Sequence, residues 1–451
     1  MTAGAMLDRP ASGVVAEDTI FAIASGAGRA AVAVMRLSGP RSGPALAALC
    51  GRLPPPRRAA LRAIRAADGE ALDHGLVLWL PGPRTHTGED CAELHLHGSP
   101  AVYAAVAEAL VALGARPAAA GEFSRRAFLN GRMDLLEAEA VADLVEADTA
   151  AQRRQALRQM EGALGELYRG WSERLRALLA DQEALIDFPD EDLPEAVDRH
   201  LLREVAALRA EIAAHLDDGG RGERLRDGLV IAVTGPPNVG KSSLINALAG
   251  RDVAIVSPVP GTTRDPVEAR LDLDGIPVTL VDTAGLRDTD DPVEAEGVRR
   301  ARARAGAADL VLAVSEPGMG PAEDALGDGV PGDGAAGRLA VVNKIDLALP
   351  PPGALGVSAR TGAGLAVLRE HLAAAARELL AAAGPPPLTR ARHRAELTDA
   401  AAALAELPDA ALPELRAEHL RQATRHLGRI TGAVDVEDIL DSIFSRFCIG
   451  K

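Results

Sequence analysis

Apolar and polar positions follow three rhythms along this chain. Ala31–Leu37 (AVAVMRL) and Gly75–Leu80 (GLVLWL) are short apolar runs set between Gly and Pro, the signature of strands, and Tyr103–Leu113 has helical spacing. An α+β segment is therefore expected over residues 1–133. From Asp134 the rhythm changes. Leu157, Met160, Leu164, Leu167, Trp171, Leu175 and Leu178 recur at three- and four-residue steps, predicting one apolar stripe on one helix. Pro189 and Pro194 interrupt the run, and Leu201–Leu216 resumes it through Leu208 and Ile212 until Gly219 and Gly220 stop it.

Near Asp227 a third rhythm begins. LVIAVT (229–234) leads through a Gly-rich turn into helix-like SSLINALAG (242–250). VTLVDTAG (278–285), LVLAVS (310–315) and LAVVNKID (339–346) each end an apolar run in polar residues. That is the pattern of a doubly wound α/β sheet carrying ligand residues at its carboxyl ends. The Gly- and Pro-rich stretch 316–337 reads as a surface loop, and after PPP (385–387) helical spacing returns from Arg390 to Phe447. The expectation is a multidomain chain: an α+β domain over 1–133, all-α segments over 134–226 and 385–451, and a Ras-like α/β domain over 227–384; insertion of that domain into one split helical domain is the natural guess, which periodicity alone leaves open.

Composition narrows the functional classes. The chain has 451 residues, 47% hydrophobic but only 2% aromatic, so its cores must be built mainly from Ala, Leu and Val. Cys50, Cys91 and Cys448 are too scattered for a disulfide framework or a zinc site. His95 and His97 alternate on one strand face without a third metal ligand in view. No apolar run reaches the roughly 20 residues that span a bilayer, and no signal peptide is evident, so a cytoplasmic protein is expected. The net charge of −15 confines any RNA contact to a local patch or to a partner's surface.

GPPNVGKS (235–242) matches the phosphate-binding loop in its strand–turn–helix setting. Asn238, Val239, Gly240, Lys241, Ser242 and Ser243 would wrap the phosphates with backbone N–H groups. Lys241 would neutralise phosphate charge, and the Ser242 hydroxyl would ligate Mg²⁺. Thr263, in GTTRD (261–265), is the expected switch threonine on that Mg²⁺. Asp282, Thr283, Ala284 and Gly285 form DTAG, where Asp282 would hold the ion through water and the Gly285 N–H would sense the γ-phosphate. In NKID, the Asp346 carboxylate would accept from guanine N1–H and N2–H₂, a donor pair adenine lacks. Asn343 would hold the loop and reach the N7 edge, the Lys344 stem would cover the ring, and Ser358, Ala359 and Arg360 (SAR) would back the base. GTP hydrolysis is the predicted activity. After DTAG comes Leu286, where Ras-like enzymes carry the glutamine that orients water. Either hydrolysis is very slow or the orienting group lies elsewhere.

GPPNVGKSS, GTTRD, DTAGLRDTDDPVEAEGVRR and the terminal FCIGK together resemble the bacterial MnmE (TrmE) family of tRNA-modification GTPases, within the TrmE-Era-EngA-like superfamily. DTIFAIASGAGRAAVAVMRLSG (18–39), TGEDCAELHLHG (87–98) and GEFSRRAFLNGRMDL (121–135) extend the resemblance over essentially the whole chain. It implies an N-terminal domain that dimerises and binds a tetrahydrofolate one-carbon donor, 5-formyl- or 5,10-methylene-tetrahydrofolate. It also implies a potassium-activated G domain inserted in a helical domain, and a homodimer acting with the flavoprotein MnmG (GidA), as a heterotetramer, on C5 of a tRNA wobble uridine.

By the same resemblance, folate contacts fall at Arg36, Glu93, Arg132 and Lys451, with Arg132 standing where the family commonly has Lys. Potassium ligands fall at Asn238, Ser257, Val259 and Thr262, in a nucleotide loop that includes Pro258, Pro260 and Gly261. Glu294 falls where the family keeps the carboxylate that orients water, and Cys448 is a candidate functional thiol or a small buried residue locking the tail. Taken alone, Arg36 and Arg132 read as solvated charges and Glu93 as an edge-strand residue. RRARAR (299–304) reads as a solvated helix face rather than a tRNA patch. A ribosome-assembly switch without folate chemistry would share every nucleotide motif.

Overall fold

The computed structural model describes residues 18–26, 28–187, 195–250, 268–282, 306, 308–319, 337–381, 386–410, 412–434, 437–445, 447 and 450. They fall into two compact units: residues 1–142, 165–169 and 427–451 form one, and residues 143–164 and 170–426 the other.

The first unit opens with β1 (Thr19–Ile23), β2 (Ala30–Ser38), α1 (Ser42–Cys50), β3 (Ala60–Arg65), β4 (Ala71–Leu80), β5 (Cys91–Gly98), α2 (Pro100–Ala112) and β6 (Ala115–Pro117). The strands form one sheet in the order β3-β4-β5-β2-β1-β6. Every pairing is antiparallel except that of β6 with β1. Alternation decides which side is covered. Met35 and Leu37 of β2, Val77 of β4 and Leu94 of β5 are buried with Leu46 and Leu49 of α1 and Val106 and Leu110 of α2. Leu61 and Leu76, paired directly across β3 and β4, project oppositely and remain 69% and 44% exposed.

Next come α3 (Glu122–Leu129) and α4 (Leu135–Glu146). Arg126 of α3 is only 6% exposed, and its guanidinium meets Asp18, Glu122 and Glu89 at 2.7, 3.0 and 3.2 Å. A buried guanidinium needs this many acceptors. Phe128, Leu135, Leu440, Phe444 and Phe447 make a small separate core. At Gly450, φ is +100° and an added Cβ would lie 2.0 Å from the Ile23 carbonyl, so only glycine fits at this point against the end of β1.

The stripe predicted over 157–178 is two helices, α5 (Ala150–Met160) and α6 (Ala163–Asp187). Gly162, at φ +88°, breaks it. Leu157 and Met160 consequently lie on an exposed surface, and in α6 the buried row is Leu164, Tyr168, Trp171, Leu175 and Leu178, with Tyr168 in place of Leu167. A capping box of Thr149 and Gln152 starts α5. After α7 (Glu195–Leu216), the short α8 (Arg221–Asp227) feeds the second sheet. Gln152 Nε2 donates to the Arg226 carbonyl, fixing that approach.

The second sheet contains β7 (Leu229–Thr234), β8 (Glu268–Leu273), β9 (Ile276–Asp282), β10 (Leu310–Ser315) and β11 (Gly337–Val342), with α9 (Lys241–Leu248) after β7. Its order is β11-β10-β7-β9-β8; the first four run parallel and β8 is an antiparallel edge. Strands β9 and β10 are buried along their whole length, which explains why they read as unbroken apolar runs. Leu244 and Leu248 of α9 and Leu368 and Leu372 of α10 (Leu365–Leu380) pack in that core.

The chain then forms α11 (Ala391–Glu406), α12 (Pro413–Thr431) and α13 (Glu437–Phe444), so among the described residues the helical stretch expected from Arg390 to Phe447 is three α-helices, with a short 3-10 turn at Leu407–Asp409. Asp143 accepts from Arg226 at 2.9 Å and from Arg390 at 2.6 Å, so one carboxylate holds the chain both before β7 and after α10. Among the described residues no helix is long and apolar enough to cross a membrane.

Candidate functional site

Strand β7 ends at Thr234, and the chain must turn at once to start α9. Gly235 permits it: φ is +139°, and an added Cβ would lie 2.1 Å from the Val314 carbonyl. Asn238 (φ +65°) and Gly240 (φ +91°) continue the turn, and Gly240 caps α9. The amino end of α9, with its unsatisfied N–H groups, therefore faces outward at the carboxyl edge of the sheet.

Lys241, only 5% exposed, curls back so that Nζ donates to the Gly235 and Pro236 carbonyls at 2.7 and 2.8 Å. Burial lowers its pKa and the nearby Asp282 carboxylate opposes that shift. The Ser242 hydroxyl donates to Asp282 at the end of β9. A cation, a hydroxyl and a carboxylate are thus gathered beside a helix amino terminus. Hard oxygen donors of this kind suit Mg²⁺.

Beyond β11 the base loop is tied to the phosphate loop. Asn343 Nδ2 donates to the Val239 carbonyl at 2.8 Å, and its Oδ1 accepts from the Ala359 N–H at 3.1 Å. The side chain expected to reach the base's N7 edge is hydrogen-bonded at both ends, and its part here is to hold two loops together. Lys344 (φ +65°) sends Nζ to the Asn238 carbonyl at 2.7 Å and to Glu316 at 2.5 Å. Asp346 accepts from the Ser358 hydroxyl at 2.6 Å and pairs with Arg360 at 2.7 Å. The Ser358 bond leads in holding the Asp346 carboxyl below the usual range, with Arg360 adding to it. Glu316 was not singled out from the sequence; no motif marks it, and only the strand order reveals its place.

A second grouping lies on the first sheet. Arg36 and Glu93 are direct partners across β2 and β5, and the guanidinium bonds the carboxylate at 3.0 and 3.1 Å. His95 Nε2 stands 3.5 Å from Glu93, while His97 pairs instead with Asp73 at 2.7 Å. Both plain readings fail here. Strand β5 lies inside the sheet rather than at its edge, and Arg36 is ion-paired rather than merely solvated. Arg132 follows Gly131 beyond α3 and is exposed; Gly88, at φ +82°, leaves space for its side chain, since a Cβ there would meet Arg132 Cγ at 3.2 Å. Ser257, Pro258, Val259, Pro260, Gly261, Thr262, Thr263, Thr283, Ala284, Gly285, Glu294, residues 299–304, Cys448 and Lys451 lie outside the described residues.

Comparison with known proteins agrees with the motifs. The family model "MnmE helical domain" matches residues 135–448, and "GTP-binding protein TrmE N-terminus" matches residues 19–132. The tRNA modification GTPase MnmE of Gluconacetobacter diazotrophicus is 59% identical, with 96% of this chain and 98% of that protein covered. Its counterpart from Granulibacter bethesdensis is 54% identical over 97% of this chain and 100% of that one. The one from Rhodospirillum rubrum is 55% identical over 96% and 99%. Among solved structures, the G domain of the T. maritima FeoB iron transporter is 26% identical and covers 33% of this chain and 98% of its own, at a TM-score of 0.23, too low to add to the assignment. Both family models and relatives matched from end to end therefore place the chain in the MnmE family of tRNA modification GTPases.

Proposed function

We propose that this protein hydrolyses GTP at the carboxyl edge of its second sheet and uses that cycle in modifying tRNA. The convergence of Lys241, Ser242, Asp282, Asn343 and Asp346 on one sheet edge carries the reading. The β- and γ-phosphates would displace the Gly235 and Pro236 carbonyls from Lys241. Ser242 and Thr263 would ligate Mg²⁺, with Asp282 behind it, and the ion would neutralise phosphate charge as the γ-phosphoryl leaves. Thr283, Ala284 and Gly285 would follow the γ-phosphate, and Ser358, Ala359 and Arg360 would flank the base.

Family membership supports the remaining parts. Asn238, Ser257, Val259 and Thr262 would hold K⁺, and Glu294 would orient the attacking water. The division into 1–133, 134–226 with 385–451, and 227–384 belongs to the same proposal. So do the homodimer, the MnmG partner, and folate contacts at Arg36, Glu93, Arg132 and Lys451. The ion pair of Arg36 and Glu93 on the less covered sheet face suits a charged, flat pterin ligand, and Gly450 lies against the end of β1.

Asp346→Asn tests the nucleotide reading. An amide that donates where the carboxylate accepted should trade guanine for xanthine. GTP turnover should collapse while xanthosine triphosphate is hydrolysed. Undiminished GTP turnover in that variant would exclude residues 343–346 as the base site.

A further inference from the structure

Three strand ends meet at the nucleotide edge, and the middle one contributes a residue that no motif claims. In the order β11-β10-β7, strand β10 lies between the strand that feeds the base loop and the strand that feeds the phosphate loop. Its last residue, Ser315, accepts from the Asn343 N–H at 2.8 Å, which fixes the β10 end beside the base loop. Glu316 follows at once. Its carboxylate meets the Lys344 ammonium at 2.5 Å, and the same ammonium donates to the Asn238 carbonyl at 2.7 Å.

Lys344 is held in the left-handed region, φ +65°, as is Asn238 at the other end of the bridge. A non-glycine residue keeps that conformation only when its surroundings hold it there. Backbone hydrogen bonds hold the turn, from the Leu347 N–H to the Lys344 carbonyl and from the Asn343 and Ile345 N–H groups to Ser315 and Val357, while the ammonium itself is held by one carbonyl and one carboxylate. The carbonyl is a weaker partner for a cation than the carboxylate, because only the latter brings an opposite formal charge to the bond. The two side chains are about a third exposed, 32% for Lys344 and 34% for Glu316, so the pair is partly screened by solvent but not lost to it.

From this geometry we infer that Glu316 is a positioning residue for guanine nucleotide binding: it holds Lys344 across the phosphate loop and so couples the loop that selects the base to the loop that binds the phosphates. Glu316 touches no nucleotide itself and acts through Lys344. The inference rests on the nucleotide site proposed above and adds a residue to it. Two consequences separate it from a stabilising surface ion pair. Losing Glu316 should matter for nucleotide retention rather than for folding, and it should matter only while Lys344 is present.

The test is a double-mutant cycle read by the release rate of a fluorescent GDP analogue from the full-length protein. Glu316→Gln should speed release about fivefold, the scale of a partly exposed ion pair, with the unfolding temperature unchanged. Lys344→Met should speed release by at least as much. In the Lys344→Met background, adding Glu316→Gln should change nothing further. Glu316→Asp, which keeps the charge, should recover part of the retention. Unchanged release in Glu316→Gln overturns the inference, as does an effect of equal size with Lys344 absent. The Asp346→Asn exchange of guanine for xanthine is scored separately. If it succeeds while the cycle shows no coupling, the site stands and Glu316 has no part in it; if it fails, the site itself is wrong.

Discussion

The two sheets of this protein solve opposite problems. The second is buried along its central strands, so the only places it can present chemistry are the strand ends, where loops carry Lys241, Asp282, Asn343 and Asp346. The first is covered by α1 and α2 on one side; on the other, Phe123 of α3 covers the β1 end against Ile20 and Ala22, and Arg36, Glu93 and His95 are presented from the middle of the neighbouring strands. An edge site is written in consecutive residues, because a loop is a short stretch of sequence. A face site is written in residues two apart on strands distant in sequence, and Arg36 and Glu93 meet only because β2 and β5 share a register.

Glycine substitutions give the largest test of this contrast. Gly235→Ala would drive a Cβ to 2.1 Å from the Val314 carbonyl at φ +139°, and Gly75→Ala would do the same to His95, at 2.2 Å, on β4. Each should cost about 3 kcal/mol or more within its own sheet. Gly235→Ala should abolish nucleotide retention and leave the first unit's hydrogen-exchange protection intact. Gly75→Ala should do the reverse. Loss of both properties in either variant would merge what is here separated.

Acid should divide the units next. Burial pushes His215, in the second unit, down to about 4, with Arg394 and His393 adding to the shift and Asp218 opposing it. A histidine whose folded pKa lies below its unfolded value leaves the unfolded state binding more protons between the two. The stability of its unit should therefore fall as pH drops from about 6.5 towards 4, by about 3 kcal/mol in total. In the first unit, Asp18 and Glu122 sit below their usual values because Arg116 and Arg126 oppose the cost of burial. Their contribution is complete above the ordinary carboxylate range and is lost only at more acid pH. Hydrogen exchange across a pH series should thus show the second unit loosening first. His215→Leu should flatten that response; an unchanged slope would remove His215 from the explanation.

The smallest effect on stability should come from Arg36→Ala. A partly exposed pair is worth about 1 kcal/mol or less. Yet 5-formyl-tetrahydrofolate binding, measured by calorimetry, should be lost while GTP turnover without folate is unchanged. Normal folate binding would return Arg36 and Glu93 to a purely structural account.

These outcomes follow how differently the sequence could be read in the two places. LVIAVT and LVLAVS coincide with β7 and β10 residue for residue, because near-complete burial, broken only at the half-buried Val230, leaves no alternation to misread. The phosphate loop followed from glycines whose positive φ the turn requires. The long stripe over 157–178 was misjudged because apolar spacing continues through Gly162 although the backbone does not. Glu316 was invisible for another reason: its partner is 28 residues away along the chain, and only the parallel order of β10 and β11 brings them together.

Asp143 carries one more implication. Because it grips Arg226 and Arg390 together, the chain leaves its helices and returns to them at nearly the same point. On the proposed domain division, the stretch in between would be a plug-in with adjoining ends. A short linker joining the two arginine-bearing segments would then close the gap in the host helices.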